Sequence, residues 1–431
     1  MEKFLKDAME IREFAKKNND LFKNSIPLIA SENIMSPLAM EMLLTDFGHR
    51  YAEGLPHQRY YQGNYFVDEM EEKVTELGKK LFNAPQFDPR PVSGTNANMG
   101  VIFGLTKPME KICAPDLSGG GHISAAKFGA LGFRGLDIVN YPFDEETMTI
   151  DVDGARKVIL ENRPKLCLFG QSVFLFPAPI KELKDTFQEV GCKVWFDGAH
   201  VLGLIAGKKF QDPLREGADL ITGSTHKTLP GPQHGAVVGN TDEKSWTRVQ
   251  KGIFPGVLSN HHLNTMAALG VTLAEMLEFG ESYASAIIEN AKALAEELNT
   301  LGMDVFGERL GFTQSHTVVA DVRKFGGGKD VAEKLEMNNV ILNKNLIPVD
   351  HNKNSQNPSG IRMGSQELTR IGFNKDDMKW VAELMMKILT DKISVEKAKE
   401  EIAMVKSSHD RVKYCYGDAV PYKYINLFLT S

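Results

Sequence analysis

One lysine, Lys227, sits in the stretch "GSTHKTLPGPQHG" (Gly223 to Gly235), between the apolar runs Ala218-Asp219-Leu220-Ile221 and Ala236-Val237-Val238. This places it in a loop between two buried strands. A turn lysine taken alone is usually a solvated residue. Desolvated and set beside polar or cationic groups, its amine becomes a nucleophile that forms a Schiff base with a carbonyl. The commonest carbonyl cofactor is pyridoxal phosphate, which asks for further parts. Asp197 ends the apolar run "CKVWFD", thirty residues earlier, where it could hold a pyridine nitrogen protonated or simply cap the next helix. Ser93, Gly94 and Thr95 in "PVSGTNANMGVIFGL" stand at a helix start, as an anion cradle or an ordinary cap. His122 closes "SGGGH" and could stack on a ring that the glycines let approach. Arg362 in "PSGIRMGS" could grip a substrate carboxylate with two parallel bonds, or lie in a surface ion pair. Each part is ambiguous, but in one frame they make Schiff-base lysine, ring acid, phosphate cradle, stacking group and carboxylate clamp.

That frame is legible in the pattern. "KICAPD", "LDIVNYP", "KLCLFGQS", "CKVWFDGAH" and "ADLITGST" are short apolar runs ending in turn residues, several separated by amphipathic stretches such as 154–161 and 180–190. Alternation of this kind predicts an α/β domain with a mostly parallel sheet, whose chemistry gathers at the carboxyl ends of the strands. Ser172, Asp197, His200 and Lys227 all fall there. Helices are expected over 3–15, with Phe4, Leu5, Ala8, Ile11, Phe14 and Ala15 on one face, and over 68–83. After Gly256 a long helical region is expected, interrupted at Gly280, followed by a smaller α+β domain with a helix over 376–390. The division expected is an arm over 1–50, a large domain over 51–280 and a small domain over 281–431.

The chain has 431 residues, 42% hydrophobic and 25% charged, with a net charge of -6. It offers no basic surface for nucleic acid, no run of about 20 apolar residues for a membrane span, and no signal-peptide core at "MEKFLKDAMEIREFAKKNND". Four scattered cysteines argue for a reducing compartment, the cytoplasm, and against a disulfide framework or zinc site. No metal site is expected; His261-His262 lack companion ligands, and His49, His57 and His316 are read as structural or interface residues.

The stretches "LIASENIMSP", "HRYAEGLPHQRYYQG", "SGTNAN", "GGGHIS", "FDGAHVLGLIAG", "GSTHKTLPGPQHG", "ILNKNLIP" and "SGIRMGSQELTRIGF" resemble serine hydroxymethyltransferase, most closely its archaeal-type members, over nearly the whole chain. The resemblance implies a fold-type I (aspartate aminotransferase-like) pyridoxal-phosphate enzyme. It implies a homodimer or dimer of dimers with active sites shared across the interface, and tetrahydrofolate or tetrahydromethanopterin as one-carbon acceptor. By motif, Lys227 would carry the cofactor with His226 beside it, Asp197 would pair with the pyridinium, and His122 would stack. Ser93, Gly94 and Thr95 would hold the phosphate, while Ser172 and His200 would lie near the phenolic oxygen and substrate carboxylate. Tyr51 and Gly256 would reach a phosphate in the neighbouring subunit, and Glu53 would be the acid/base carboxyl. Tyr61, Ser31, His200 and Arg362 would arrange the substrate, with Asn345 near the pterin.

The chain departs from the family's usual pattern with "FPGVLSN" near 254–260, with Gln233 and His234 in the lysine loop, and with Ala125 where a second histidine is common. Threonine aldolases and L-threonine transaldolases share this scaffold and form the alternative. A silent cofactor-binding relative is a third, which Lys227, Asp197, Glu53 and Arg362 oppose.

Overall fold

The computed structural model describes residues 4–117, 119–350 and 356–427. Its centre is a seven-stranded sheet in the order Gln86–Asp88, Gly235–Gly239, Leu220–Ser224, Lys193–Asp197, Leu166–Phe169, Lys111–Ala114, Asp137–Asn140. The last five pair in parallel, and Gly235–Gly239 runs against both its neighbours. The parallel strands are apolar on both faces because both faces are covered. Val194 and Phe196 enter one core with Cys113, Phe169 and Ile221. Trp195, between them, enters the opposite one with Ile112, Leu168 and Leu220.

The amphipathic stretches fold as the helices Val152–Asn162 and Ile180–Val190, and the helix expected near 68–83 spans Tyr65–Leu81. A second, antiparallel sheet is built in the order Asp304–Val305, Thr317–Asp321, Gly360–Gly364, Asn343–Asn345. Its core includes Ile26 and Leu28, because Ile26–Pro27 pairs in parallel with Val340–Ile341.

Gly280 does not interrupt the long helix, which runs unbroken from Leu263 to Thr300. Tertiary packing overrides the helix cost of glycine. A β-carbon on the neighbouring Gly207 would lie 2.4 Å from the Gly280 carbonyl oxygen, so two backbones meet there in close approach. The helix serves both cores, giving Met266 to Ile287 to one and Ala291 to Leu298 to the other. The first helix runs further than its stripe, over Leu5–Lys23, and buries none of its residues. Phe4, Ile11 and Phe14 remain exposed.

Candidate active site

Strand ends converge on one rim of the large sheet, together with the start of the helix Gly94–Leu105. Nine of the expected residues (Ser93, Gly94, Thr95, His122, Ser172, Asp197, His200, His226 and Lys227) line a single pocket there. Ser93 caps the helix by accepting from Asn96 N at 3.1 Å. The cradle is held tight: a β-carbon on Gly235 would come within 2.2 Å of the Ser93 carbonyl oxygen.

Lys227 is only 9% exposed. Burial lowers its ammonium pKa to about 8; Asp197 opposes that shift and Arg362 adds to it. The lysine is therefore a desolvated amine that gives up its proton far more readily than an exposed lysine. Its backbone is fixed from both sides. Asn33 Nδ2 donates to the Lys227 carbonyl at 2.6 Å, and Thr228 Oγ1 donates to the His200 carbonyl at 2.9 Å.

Three imidazoles face this amine in neutral form. Burial holds His226 at about 4 and His200 well below the ordinary histidine range, and it also lowers His122, against the pull of Asp197. His226 Nδ1 is buried without a hydrogen-bond partner among the described residues. His122 Nδ1 accepts from Ser124 N at 3.2 Å. His316, expected to be structural, is fully buried behind the pocket, 5.6 Å from His200 ring to ring, and bonds the Ala30 carbonyl at 3.0 Å.

Asp197 does not cap the next helix, Leu202–Ala206, whose N-cap is Val201 with no side-chain cap bond; it accepts from Ala199 N at 3.1 Å in the turn after its strand. Its other oxygen accepts from Asn98 Nδ2 at 2.7 Å, and the residue lines the pocket as well. Arg362 is no surface ion pair. It is buried, its Nη1 donates to the Ser172 carbonyl at 2.7 Å and its Nε to Asn343 Oδ1 at 3.1 Å. No carboxylate among the described residues pairs with it. Burial lowers its pKa to about 10.

A helix-start cradle, an unpartnered buried imidazole, a carboxylate and a desolvated lysine make a donor set that suits a phosphorylated pyridine aldehyde. The described residues contain no cluster suited to a metal ion.

Other expected residues lie outside this pocket in the single chain. Tyr51 and Tyr61 contact edge to face at 5.0 Å on the surface, with Glu53 beside Tyr61. Tyr61 lines a separate hollow with His57 and Arg59. Gly256 is exposed, and Asn345 pairs with Gly360 in the small sheet. Ser31 is half-buried, next to the Ala30 carbonyl that His316 binds.

His234 departs from the family pattern without entering the site. Its imidazole is fully buried, bonding Pro89 O at 2.6 Å and Thr265 Oγ1 at 2.9 Å, while Gln233 is exposed. His261 pairs with Glu71 at 3.1 Å, and exposed His57 with Glu72 at 3.0 Å. Sequence reasoning missed Asn33, Asn98 and Gln171. Only Asn98 carried a signal, a polar side chain one turn into a helix whose start was already singled out.

The family model described as serine hydroxymethyltransferase matches residues 5–385. A serine hydroxymethyltransferase of Picrophilus torridus is 63% identical over 425 residues, 99% of this chain and 98% of the relative. That of Thermoplasma volcanium is 62% identical, over 98% and 99%. That of Methanothermobacter marburgensis is 48% identical, over 97% of both. Among solved structures, L-threonine transaldolase from Pseudomonas fluorescens in its internal aldimine state superposes with a TM-score of 0.86 at 27% identity, over 95% of this chain and 94% of that one. With matches of this length and identity behind the pocket just described, the chain belongs to the serine hydroxymethyltransferase family.

Proposed function

We propose that this protein interconverts serine and glycine, passing the hydroxymethyl carbon to a tetrahydropterin (tetrahydrofolate or tetrahydromethanopterin). The observation that carries the reading is the buried Lys227 amine, its pKa lowered to about 8, in a pocket shared with Asp197 and the helix-start cradle. Pyridoxal phosphate, when bound, supplies an electron sink for a carbanion at the amino-acid α-carbon. Lys227 would hold its aldehyde carbon, Asp197 its ring nitrogen, His122 a ring face, and Ser93, Gly94 and Thr95 its phosphate. Ser172, His200 and the unpartnered Nδ1 of His226 would meet its remaining polar atoms or the substrate.

Arg362 binds the serine carboxylate through the guanidinium edge that Ser172 and Asn343 leave free, with Ser31 and Tyr61 beside it. Glu53 takes the proton from the serine β-hydroxyl oxygen as the carbon leaves, and returns one during transfer to the pterin near Asn345.

Because Tyr51, Glu53 and Tyr61 lie outside the Lys227 pocket of their own chain, the reading includes a homodimer in which they and Gly256 serve the partner's pocket; two dimers could pair further. Its support is the uncovered apolar surface: Tyr65 and Phe133 are 80% and 86% exposed, and the first helix presents Ile11 and Phe14. The reading divides the chain into an arm over 1–50, a large unit over 51–280 and a small unit over 281–431; its support is that two separate cores share the long helix, although they meet between Ile287 and Ala291 and the smaller one also takes in Ile26 and Leu28. Among the described residues no helix is long and apolar enough to cross a membrane. We place the protein in the cytoplasm, in keeping with its four free cysteines.

The test is serine turnover with each pterin side by side. Pterin-dependent formation of glycine supports the reading. Rapid threonine cleavage with no response of serine to either pterin would instead favour the aldolase or transaldolase reading, which the 27% identical transaldolase structure keeps in view. Protein that stays colourless after reconstitution with pyridoxal phosphate would sink both.

A further inference from the structure

Asn98 lies one turn into the helix Gly94–Leu105, where a carboxamide competes with the backbone rather than supporting it. It is only 4% exposed, yet both ends of its side chain are used. Its Oδ1 accepts from Thr222 Oγ1 at 2.6 Å, and its Nδ2 donates to Asp197 Oδ2 at 2.7 Å. Thr222 is fully buried, and its hydroxyl oxygen accepts from Trp195 Nε1 at 2.7 Å.

The direction of this chain is fixed at both ends: the ionised Asp197 carboxylate can only accept, and at the far end an indole N–H can only donate. The Thr222 oxygen therefore accepts there and sends its own proton to Asn98. This determines which end of the carboxamide is oxygen and turns the amide nitrogen onto Asp197. Thr222 is also the register partner of Asp197 on the adjacent parallel strand, so the relay and its target ride on the same pair of strands.

The second Asp197 oxygen accepts from Ala199 N at 3.1 Å. Both oxygens are thus held by neutral donors, and no ion pair among the described residues neutralises the carboxylate. Its plane is fixed and its charge is left for the pocket.

We propose that Asn98, oriented by Thr222 and Trp195, is a positioning residue that aims the Asp197 carboxylate at the ring nitrogen of the pyridine cofactor. The inference rests on reading Asp197 as the ring acid.

The experiment measures the dissociation constant of pyridoxal phosphate on the full chain stripped of cofactor, then kcat and serine KM after reconstitution. Loss of one buried charge-assisted bond predicts a cofactor affinity weakened about tenfold or more in Asn98→Ala. In that variant kcat falls while serine KM holds, since Arg362 is untouched. Thr222→Val shifts both quantities in the same direction by less, and Thr222→Ser, which keeps the hydroxyl, restores them. Unchanged cofactor affinity in Asn98→Ala, with clear weakening in Asp197→Ala, would refute the positioning role and leave the ring acid standing. Unchanged affinity in Asp197→Ala would overturn the underlying reading and this inference together. If Asn98→Ala fails to fold, the two Thr222 variants decide, and equal behaviour of the serine and valine forms overturns the proposal.

Discussion

Arg362 Nη1 donates to the backbone carbonyl of Ser172 at 2.7 Å, joining a strand of the small antiparallel sheet to the loop that leaves the large parallel one. The guanidinium is also held by Asn343, and it is tied to the pocket through Ser172, one of the lining residues, already oriented and without a carboxylate of its own. A buried guanidinium with that vacancy is suited to a substrate carboxylate. Arg362→Lys keeps the charge but loses the fork. We expect kcat/KM for serine to fall by about a hundredfold, mostly through KM, with cofactor affinity little changed. Steady-state kinetics beside a cofactor titration check this; a wild-type KM in the lysine variant would remove Arg362 from the substrate site.

Lys227 links chemistry to stability. Its folded pKa of about 8 lies below the ordinary 10.5, because burial disfavours the ammonium. Folding therefore costs free energy at neutral pH, and stability contributed by this group rises as pH climbs from about 8 towards 10.5. In cofactor-free protein, Lys227→Met should raise stability at pH 7 by up to about 3 kcal/mol and abolish that part of the pH slope. Denaturant melts at pH 7 and 10 measure it. The same variant should show no visible cofactor band and no serine turnover, and the rate of cofactor capture by wild type should rise through pH 8 as the amine loses its proton.

How much of this was legible in the sequence depended on what each residue type signals. Lys227, Asp197 and His122 were readable because each follows an apolar run or a glycine cluster, which locates a strand end or loop before any contact is known. Asn98 and Asn33 were not, since their roles lie in which carbonyl or carboxylate their amides meet, and that is set by packing between distant segments. Gly280 misled because propensity is local, whereas the close backbone approach of Gly207 is tertiary. His234 differs from the family's usual residue, yet its ring points to Pro89 and Thr265; the sequence marks the difference but not its direction.

Glu367 is a buried carboxyl away from the Lys227 pocket, on the short helix Gln366–Arg370, accepting from Tyr422 Oη at 2.7 Å. Burial raises its pKa from 4.5 to about 7, opposed by the Tyr422 hydrogen bond, and raised further by Glu32, with Lys406 opposing. The folded state then binds the extra proton between pH 4.5 and 7, so stability from this group falls as pH rises through that window. Glu367→Gln should flatten this fall and stabilise the protein at pH 8 by about 2–3 kcal/mol relative to wild type. Thermal melts at pH 5 and 8 test it; parallel shifts of the two proteins with pH would show that Glu367 does not titrate there.

Shared active sites make a quantitative prediction. Lys227→Ala removes the amine from a chain's own pocket, and Glu53→Gln removes the carboxyl that the chain is proposed to lend its partner. Each homodimer should be inactive in pterin-dependent serine cleavage. Mixed in equal amounts and allowed to exchange subunits, half the dimers become hybrids, each with one pocket that has Lys227 from one chain and Glu53 from the other. Activity should recover to about a quarter of wild type. If Glu53 serves its own chain, the hybrids' pockets instead divide into one lacking only the lysine and one lacking only the carboxyl, and mixing restores nothing. Threonine cleavage, which needs no transfer to a pterin, should survive Glu53→Gln far better than serine turnover does. Equal loss of both would remove the acid/base role from Glu53, whichever chain supplies it.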